Sequence, residues 1–267
     1  MTGPSREGPD SPARLYSQLR QLLELEVGSG VAFAPRHQQD AAAEPESAAA
    51  PVPSAASPSP APSPGLPPAL EFAPGNASER LAAVAQAVAA CQRCGLCKGR
   101  NNTVPGEGNV LPEIVFVGEG PGFEEDQSGR PFVGADGQLL DRMIGAMGLA
   151  RSQVFIANVV KCRPPGNRAP EADEIAACLP YLEEQLAALS PKVICSLGAV
   201  PLRALSGDPR AGITRLRGQQ REWRGIPWIP TFHPSYLLRN EPAKKFAWLD
   251  LQAVLAVLGR EAPRRGA

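Results

Sequence analysis

The chain has 267 residues, of which 43% are apolar, and this length and composition are typical of a globular protein with one sizeable core or two small ones. No window approaches the roughly 18 consecutive apolar residues of a membrane span, and the N-terminus lacks the pattern of a secretion signal, so we expect a cytoplasmic protein. The formal net charge is zero, yet residues 1–76 hold 4 Lys and Arg against 8 Asp and Glu, and the remainder holds 23 against 19. The net charge of residues 77–267 is therefore 23 − 19 = +4, which permits a phosphate-binding face there.

The N-terminal part predicts one helix followed by a linker. Residues 11–27 place Leu15, Leu19 and Leu22 on one helical face, but a helix of about 16 residues is marginal alone in water. It either docks on its own domain or serves as a handle for a protein partner. Residues 41–75 contain ten prolines in 35 positions, mixed with Ala and Ser, which predicts a disordered linker.

The rest of the chain alternates between short apolar runs and helical patterns. We expect strands in EIVFVG, VFIANVVKC, KVICSLG and GIPWIPTF, and helices over 77–90, 137–149, 169–189 and 244–258. This alternation predicts an α/β fold, a three-layer α/β/α sandwich around a mostly parallel four-stranded sheet. The domain limits are an extension over 1–40, a disordered linker over 41–76, a folded domain over 77–260 and a tail over 261–267.

In such a sheet the ligand binds beyond the carboxyl ends of the strands, and three motifs lie there. GEGPGFEED (118–126) has Pro121 within the turn and lacks the third glycine of a dinucleotide fingerprint. It predicts either a tight strand-to-helix turn or a backbone cradle for a ligand, with Glu119 and Asp126 as nearby carboxylates. Asn158 follows the second strand, where its amide either caps the chain or pairs with an imide edge such as that of uracil.

The third motif, HPSYLLRN, begins at His233, which is one of two histidines in the chain. A histidine after a strand is usually structural, but here Ser235 can cap a short helix. We expect Leu237 and Leu238 to be exposed before Arg239, an arrangement that suits side chains inserting into a partner such as DNA.

Six cysteines in a reducing cytosol favour a metal site over a disulfide framework. Cys91 and Cys94 form one pair, Cys162 and Cys178 supply two more thiolates, and four thiolates suit either zinc or a [4Fe-4S] cluster. Cys97 and Cys195 are left over. A ferredoxin-type run would need a cysteine where Asn101 stands, and Cys195 lies in an apolar strand as a core residue.

In their order, the motifs GEGPGFEED, GRPFVG, NVVKCRPPGNR and FHPSYLLRN, joined by the cysteine pairs, resemble the family 4 (iron-sulfur) uracil-DNA glycosylases over residues 78–260. The resemblance implies base excision repair: a monomeric, monofunctional DNA-binding hydrolase flips deoxyuridine out of DNA, releases uracil and leaves an abasic site. It also implies a [4Fe-4S] cluster on Cys91, Cys94, Cys162 and Cys178, with Cys97 spare.

By the same resemblance, Phe132 stacks on the extruded base, Asn158 reads its O4 and N3-H edge, and His233 donates to O2. Gly118 and Gly120 complete the uracil site through their backbone, and Glu119 is the candidate for holding water or stabilising the sugar cation. Ser235, Leu237 and Arg239 are expected to contact DNA. The rival hypothesis is a non-catalytic iron-sulfur DNA-binding scaffold that recruits a partner through its N-terminal helix.

Overall fold

The computed structural model describes residues 72–263, so the helix predicted over 11–27 and most of the predicted linker lie outside the described residues. Phe72, the first described residue, packs on the domain, since its ring meets that of Tyr181 edge-on with 6.3 Å between centroids. Residues 72–76, which we expected in the linker, thus include a contact with the domain. Asn76 then caps the first helix through a reciprocal capping box with Glu79.

Helices and strands alternate along the described chain. The strands are β1 (Glu107–Gly108), β2 (Ile114–Gly118), β3 (Phe155–Asn158), β4 (Val193–Leu197), β5 (Arg221–Trp223) and β6 (Ile226–Thr231). The helices are α1 (Ala77–Ala89), α2 (Phe123–Ser128), α3 (Ala135–Ala146), α4 (Ala172–Leu189), α5 (Ala199–Ser206), α6 (Ile213–Leu216), α7 (Pro234–Arg239) and α8 (Lys244–Val257). Within residues 72–263, no helix is both long and apolar enough to cross a bilayer.

The strands form one sheet in the order β1-β3-β2-β4-β6-β5. The four inner strands are parallel and are the four that the apolar runs predicted, which confirms the α/β fold class. The predicted number of strands was wrong, because β1 and β5 extend the two edges antiparallel. These edge strands are only two and three residues long, so they leave no recognisable hydrophobic period.

Helices cover both faces of the sheet. Along β2, Ile114 and Phe116 point into a core that α3, α7 and α8 complete, whereas Val115 and Val117 point into a core formed with α1, α4 and α5. Leu237 of α7 belongs to the first core and is 1% exposed, while its neighbour Leu238 is 42% exposed. The expectation that both leucines face outward was wrong, because adjacent residues of a helix point about 100° apart.

One close backbone contact fixes the loop that precedes α3. A Cβ atom at Gly137 would lie 1.9 Å from the carbonyl oxygen of Phe132, so only glycine lets the helix pass this carbonyl. Gly145 on the same helix has open space around the equivalent position.

We expect Gly137→Ala to lower the free energy of unfolding by about 3 kcal/mol, because the helix and the Phe132 loop must move apart. Gly145→Ala is the matched control and should raise it by up to about 1 kcal/mol through helix propensity. Urea unfolding followed by circular dichroism measures both. Equal effects of the two substitutions would show that the Phe132 carbonyl does not constrain α3.

Candidate active site

A cleft of about 700 Å³ opens at the carboxyl ends of the parallel strands. Its lining brings together seven residues that the sequence placed at strand ends or in GRPFVG: Glu119, Gly120, Phe132, Asn158, His233, Ser235 and Arg239. Gly118 lies directly behind them, since a Cβ atom there would be 2.3 Å from Asn158 Oδ1 and 2.5 Å from the Phe132 ring. The glycine therefore allows the amide and the ring to meet.

Asn158 ends β3 and is 1% exposed, yet its side-chain oxygen has no hydrogen-bond partner within the described chain. Buried polar atoms in folded proteins are nearly always paired. Because Asn158 lines the cleft, this open acceptor is available to a ligand that carries an N-H group.

Phe132 supplies the apolar wall of the cleft. Its backbone has a φ of 52°, which is uncommon for a residue other than glycine, and its ring is buried. Two side chains hold this conformation through hydrogen bonds to the backbone. Arg151 donates from Nη1 to the Phe132 carbonyl at 3.1 Å, and Glu125 accepts the amide hydrogens of Val133 and Gly134 at 2.8 and 3.1 Å.

His233 lies beside Phe132, with 5.7 Å between the ring centroids. Its Nδ1 accepts the amide hydrogen of Ser235 at 3.1 Å, so His233 itself caps α7, where we expected Ser235 to be the cap. The proton of the neutral ring therefore sits on Nε2. Burial above all, together with the Arg239 charge, lowers the pKa of His233 to about 4, although the Glu125 carboxylate opposes the shift. The site thus contains a neutral histidine with one N-H donor near pH 7.

Four carboxyl groups border the same space, those of Glu119, Glu124, Glu125 and Asp136, and two of them have a raised pKa. Burial raises the pKa of Glu119, in the turn after β2. Burial, with the Glu125 carboxylate, also raises the pKa of Asp136 at the start of α3. Asp126, which the motif also suggested, is fully buried outside the cleft and accepts hydrogen bonds from Asn101 instead. Glu119 is therefore the carboxylate of GEGPG that faces the cleft.

The rim of the cleft combines cations with exposed apolar groups. Arg239 ends α7, and Leu238 beside it is exposed. On the opposite turn, the ring of Phe123 is 52% exposed and stacks under the Arg163 guanidinium, which lies 5.1 Å from the ring centroid. Such a rim suits nucleic acid, whose phosphates attract arginine and whose bases stack on aromatic rings.

A second cavity lies on the α1–α4 face of the sheet, and five of the six cysteines line it: Cys91, Cys94, Cys97, Cys162 and Cys178. Polar hydrogens approach three of the sulfur atoms. Arg100 donates to Cys162 Sγ at 3.2 Å, the Lys161 amide donates to Cys178 Sγ at 3.3 Å, and the Arg93 amide donates to Cys91 Sγ at 3.5 Å. These contacts stabilise thiolates, the form in which cysteine binds metal.

Within residues 72–263, no three His, Cys, Asp or Glu side chains converge on the position of a single metal ion. The five cysteines instead lie around the wall of one cavity. Burial raises the pKa of the Cys94 and Cys162 thiols, and for Cys162 the Arg100 charge opposes the shift. Cys195 is fully buried in β4 away from this cavity, which agrees with its predicted place in the core.

Comparison with known proteins identifies the family. A sequence model of the Uracil DNA glycosylase superfamily matches residues 105–252. The chain is 49% identical to a type-4 uracil-DNA glycosylase of Thermotoga maritima over 61% of this chain and 85% of the relative. The chain belongs to the type-4 family within this superfamily. Type-4 enzymes of Sulfurisphaera tokodaii and Archaeoglobus fulgidus are 45% and 38% identical, and the matches cover 66% and 69% of this chain and 84% and 96% of the relatives.

Several residues of the site were not predictable from the sequence. Glu125 and Arg151 hold the backbone at Phe132 from seven and nineteen positions away in the chain. Only Glu125 has a signal in the sequence, because its spacing from Gly122 is that of a capping box. Lys161 lies within the motif NVVKC next to Cys162, and nothing in the sequence indicated that its side chain is buried. The sequence indicated that Leu237 and Leu238 are both exposed, and only the helical phase of α7 shows that Leu238 alone is.

We predict that the His233 ring stays neutral, with its proton on Nε2, from pH 8 down to about pH 5, because its folded pKa is about 4 against 6.5 for a free side chain. The ¹⁵N chemical shifts of the ring, recorded across this range, measure the protonation state. The protein denatured in urea is the control and should titrate near the free value. A native-state midpoint between pH 6 and 7 would contradict the burial argument.

Proposed function

We propose that this chain is a DNA repair glycosylase that hydrolyses the N-glycosidic bond of deoxyuridine, releases uracil and leaves an abasic site. The observation that carries the proposal is the unpaired, buried Oδ1 of Asn158, which lies in one cleft with the Phe132 ring and the His233 donor. Membership of the type-4 family supports the same reaction. A flat imide base requires an acceptor for its N-H group, a ring face on which to stack and a donor for a carbonyl oxygen. Asn158, Phe132 and His233 supply these three in turn.

The base must leave the duplex to reach these groups, because its edge and the anomeric carbon are inaccessible within the stack. In the proposed complex the extruded uracil stacks on Phe132. Asn158 Oδ1 accepts from N3-H, and its Nδ2 donates to O4. The uncommon backbone conformation of Phe132, held by Glu125 and Arg151, places the ring in advance of binding.

Cleavage places negative charge on uracil O2 and positive charge on the sugar. The His233 Nε2-H group points its partial charge at O2, and the interaction strengthens only as the bond breaks. A neutral donor is sufficient for this task, because a hydrogen bond stabilises the charge on O2 without transfer of the proton. The Glu119 carboxylate, exposed to the cleft with a raised pKa, is proposed to hold the water or to stabilise the sugar cation.

The enzyme is proposed to be monofunctional. Among the residues that the structure describes, no lysine lines the cleft, and Lys161 is buried on the far side of Asn158. A Schiff-base nucleophile is therefore lacking in the described part of the site.

The proposed DNA contacts lie on α7 and the opposite rim. Arg239 suits a backbone phosphate, and the Ser235 hydroxyl, 2.8 Å from His233 Nδ1, also orients the catalytic ring. The buried Leu237 holds α7 on the core, so we assign the wedge that fills the gap in the stack to Leu238. Phe123 is placed to stack on a flanking base.

The cysteine cavity is proposed to hold a [4Fe-4S] cluster on Cys91, Cys94, Cys162 and Cys178. A cubane takes one thiolate at each iron, which suits sulfur atoms that surround a cavity, whereas zinc needs four ligands converging on one point. The cluster would serve as structural support that ties the segment around Cys91 to the segment after β3 and to α4. The fifth lining cysteine, Cys97, is adjacent to Cys94 by one helical turn and is the alternative ligand.

Free uracil released from an oligonucleotide that contains one deoxyuridine tests the proposal directly. Release without strand breaks before alkali treatment is expected, and a borohydride-trapped adduct would contradict the monofunctional assignment. Binding of the oligonucleotide without any release would favour the rival hypothesis, a non-catalytic iron-sulfur scaffold, over the enzyme.

We expect His233→Ala to lower the single-turnover excision rate by roughly 10²-fold to 10³-fold, the usual effect of removing one oxyanion-type donor. The dissociation constant for DNA should change little, since the imidazole contacts only the extruded base. Fluorescence anisotropy with the same oligonucleotide is the control. An excision rate equal to that of the parent would reduce His233 to the role of capping α7.

We expect Cys97→Ser to keep the visible absorbance of the cluster and the activity, whereas Cys178→Ser loses iron and folds poorly. The Cys97 thiol is partly exposed and replaceable, whereas the Cys178 thiol is buried in α4 and accepts a hydrogen bond from the Lys161 amide. Cys94→Ser should be rescued in part by Cys97. Iron analysis would contradict the ligand assignment if Cys97→Ser were iron-free and Cys94→Ser fully loaded.

A further inference from the structure

A buried ion pair is bound to the end of strand β6, two residues before His233. The Asp250 carboxylate on α8 is 1% exposed and accepts a hydrogen bond from the Thr231 hydroxyl at 2.7 Å. Arg217 donates to the same carboxylate twice, from Nε to Oδ2 at 2.9 Å and from Nη2 to Oδ1. Thr231 is itself fully buried. These three residues, Thr231, Asp250 and Arg217, form the Asp250 network.

The geometry of the network fixes a position as well as a contact. Two bonds from one planar guanidinium set the orientation of the carboxylate, and the carboxylate in turn sets the place of the threonine hydroxyl. A buried ion pair can often be replaced by apolar residues without loss of stability, so stability alone is a weak reason for its presence. The position that it imposes on β6 relative to α8 is a better one.

Other contacts hold the same end of β6. The Gly198 amide donates to the Thr231 carbonyl at 2.8 Å, and a Cβ atom at Gly198 would lie 3.1 Å from that of His233. Phe232, between Thr231 and His233, lines the cleft, and the Arg217 guanidinium lies 5.5 Å from the centroid of its ring. Arg217 thus contacts both the carboxylate that binds Thr231 and the ring that precedes His233.

The His233 ring depends on this stretch of backbone for its place in the cleft. Its Nδ1 accepts the Ser235 amide hydrogen at 3.1 Å, a bond that orients the ring on α7 but does not tie it to the sheet. The members of the Asp250 network are not among the described residues that line the cleft. Their effect on a substrate must therefore pass through the residues that follow Thr231.

We propose that the Asp250 network positions the His233 ring, so that Nε2 is in place for uracil O2 before the base arrives. This inference rests on the proposed function of the cleft and deepens it, because it assigns His233 a support on α8. If the ring were displaced, its donor would miss the charge that develops on O2, while Phe132 and Asn158 would still bind the base. The network should therefore affect the rate of cleavage and leave the affinity for DNA unchanged.

The test is a double-mutant cycle of Thr231→Val and His233→Ala, measured as the single-turnover rate of uracil excision. Valine has nearly the shape of threonine and favours strands, so it removes the bond to Asp250 without opening space. We expect the substitution to lower the rate roughly tenfold in the parent, because a small misplacement of a catalytic group is costly. In the His233→Ala background it should have no effect. An equal loss in both backgrounds, or no loss in the parent, would overturn the proposal.

Two further variants separate positioning from a general weakening of β6. Thr231→Ser keeps the hydroxyl and should restore most of the parent rate. Ser196→Ala removes a different buried hydrogen bond of the strand, the one from Trp228 Nε1 at 2.8 Å, which lies on the opposite face of the sheet. It should lower stability and leave the rate unchanged. A loss of rate as large as that of Thr231→Val would overturn the proposal.

Arg217→Lys provides a second variant if Thr231→Val does not fold. Lysine keeps the charge beside Asp250 but cannot form two parallel bonds or lie flat against the Phe232 ring. We expect a loss of rate of roughly tenfold, again absent in the His233→Ala background. An unchanged rate would overturn the proposal.

DNA binding provides a measurement that does not require turnover. The probe is an oligonucleotide with 2′-fluorodeoxyuridine, in which the electron-withdrawing fluorine protects the glycosidic bond from cleavage. Its dissociation constant should be the same for the parent and Thr231→Val. A weaker affinity in the variant would place the network in DNA binding and overturn its role in positioning His233.

A parent protein that releases no uracil would contradict the proposed function instead. The hydrogen exchange rate of the Ser235 amide, which is bound to His233 Nδ1, would then decide the inference. Exchange that is faster in Thr231→Val than in both the parent and Ser196→Ala would show that the network holds the ring. Equal exchange in the three proteins would overturn the inference.

Discussion

The pairing of β2 with β3 at their carboxyl ends is the contact on which both sites depend. Gly118 lies opposite Asn158 in this register, and the Val159 and Val160 amides then donate to the Gly118 and Glu119 carbonyls. Without a Cβ at Gly118, the asparagine amide and the Phe132 ring occupy the same small volume. Any larger side chain there would separate the Asn158 amide, which is proposed to read the base, from the Phe132 ring, on which the base is proposed to stack.

From this junction the chain reaches the cysteine cavity within four residues. Asn158 belongs to the cleft, Lys161 is buried between the two sites, and Cys162 lines the cavity. Such a short separation means that the two sites share one stretch of backbone. A cluster held by the cysteines, as proposed, would therefore support the main chain of Asn158 even though the proposed chemistry of the cleft requires no metal.

The sequence was sufficient for the features that follow from local periodicity. The four buried strands were predictable because each is a short apolar run, and the strand-end motifs gathered in one cleft because parallel strands end at one edge. Features that depend on distant partners were not predictable. Arg151 reaches the Phe132 loop and Gln185 reaches Lys161 only after folding, and the exposure of Leu238 rather than Leu237 depends on how α7 is rotated against the core.

The central claim is that extruded uracil binds between Phe132, Asn158 and His233, and a crystal structure of the complex with DNA containing 2′-fluorodeoxyuridine tests it most directly. We predict a uracil ring parallel to Phe132, with N3 about 3 Å from Asn158 Oδ1 and O2 at a similar distance from His233 Nε2. A base that remains stacked in the DNA would contradict the account. So would an extruded base that makes no contact with the open oxygen of Asn158.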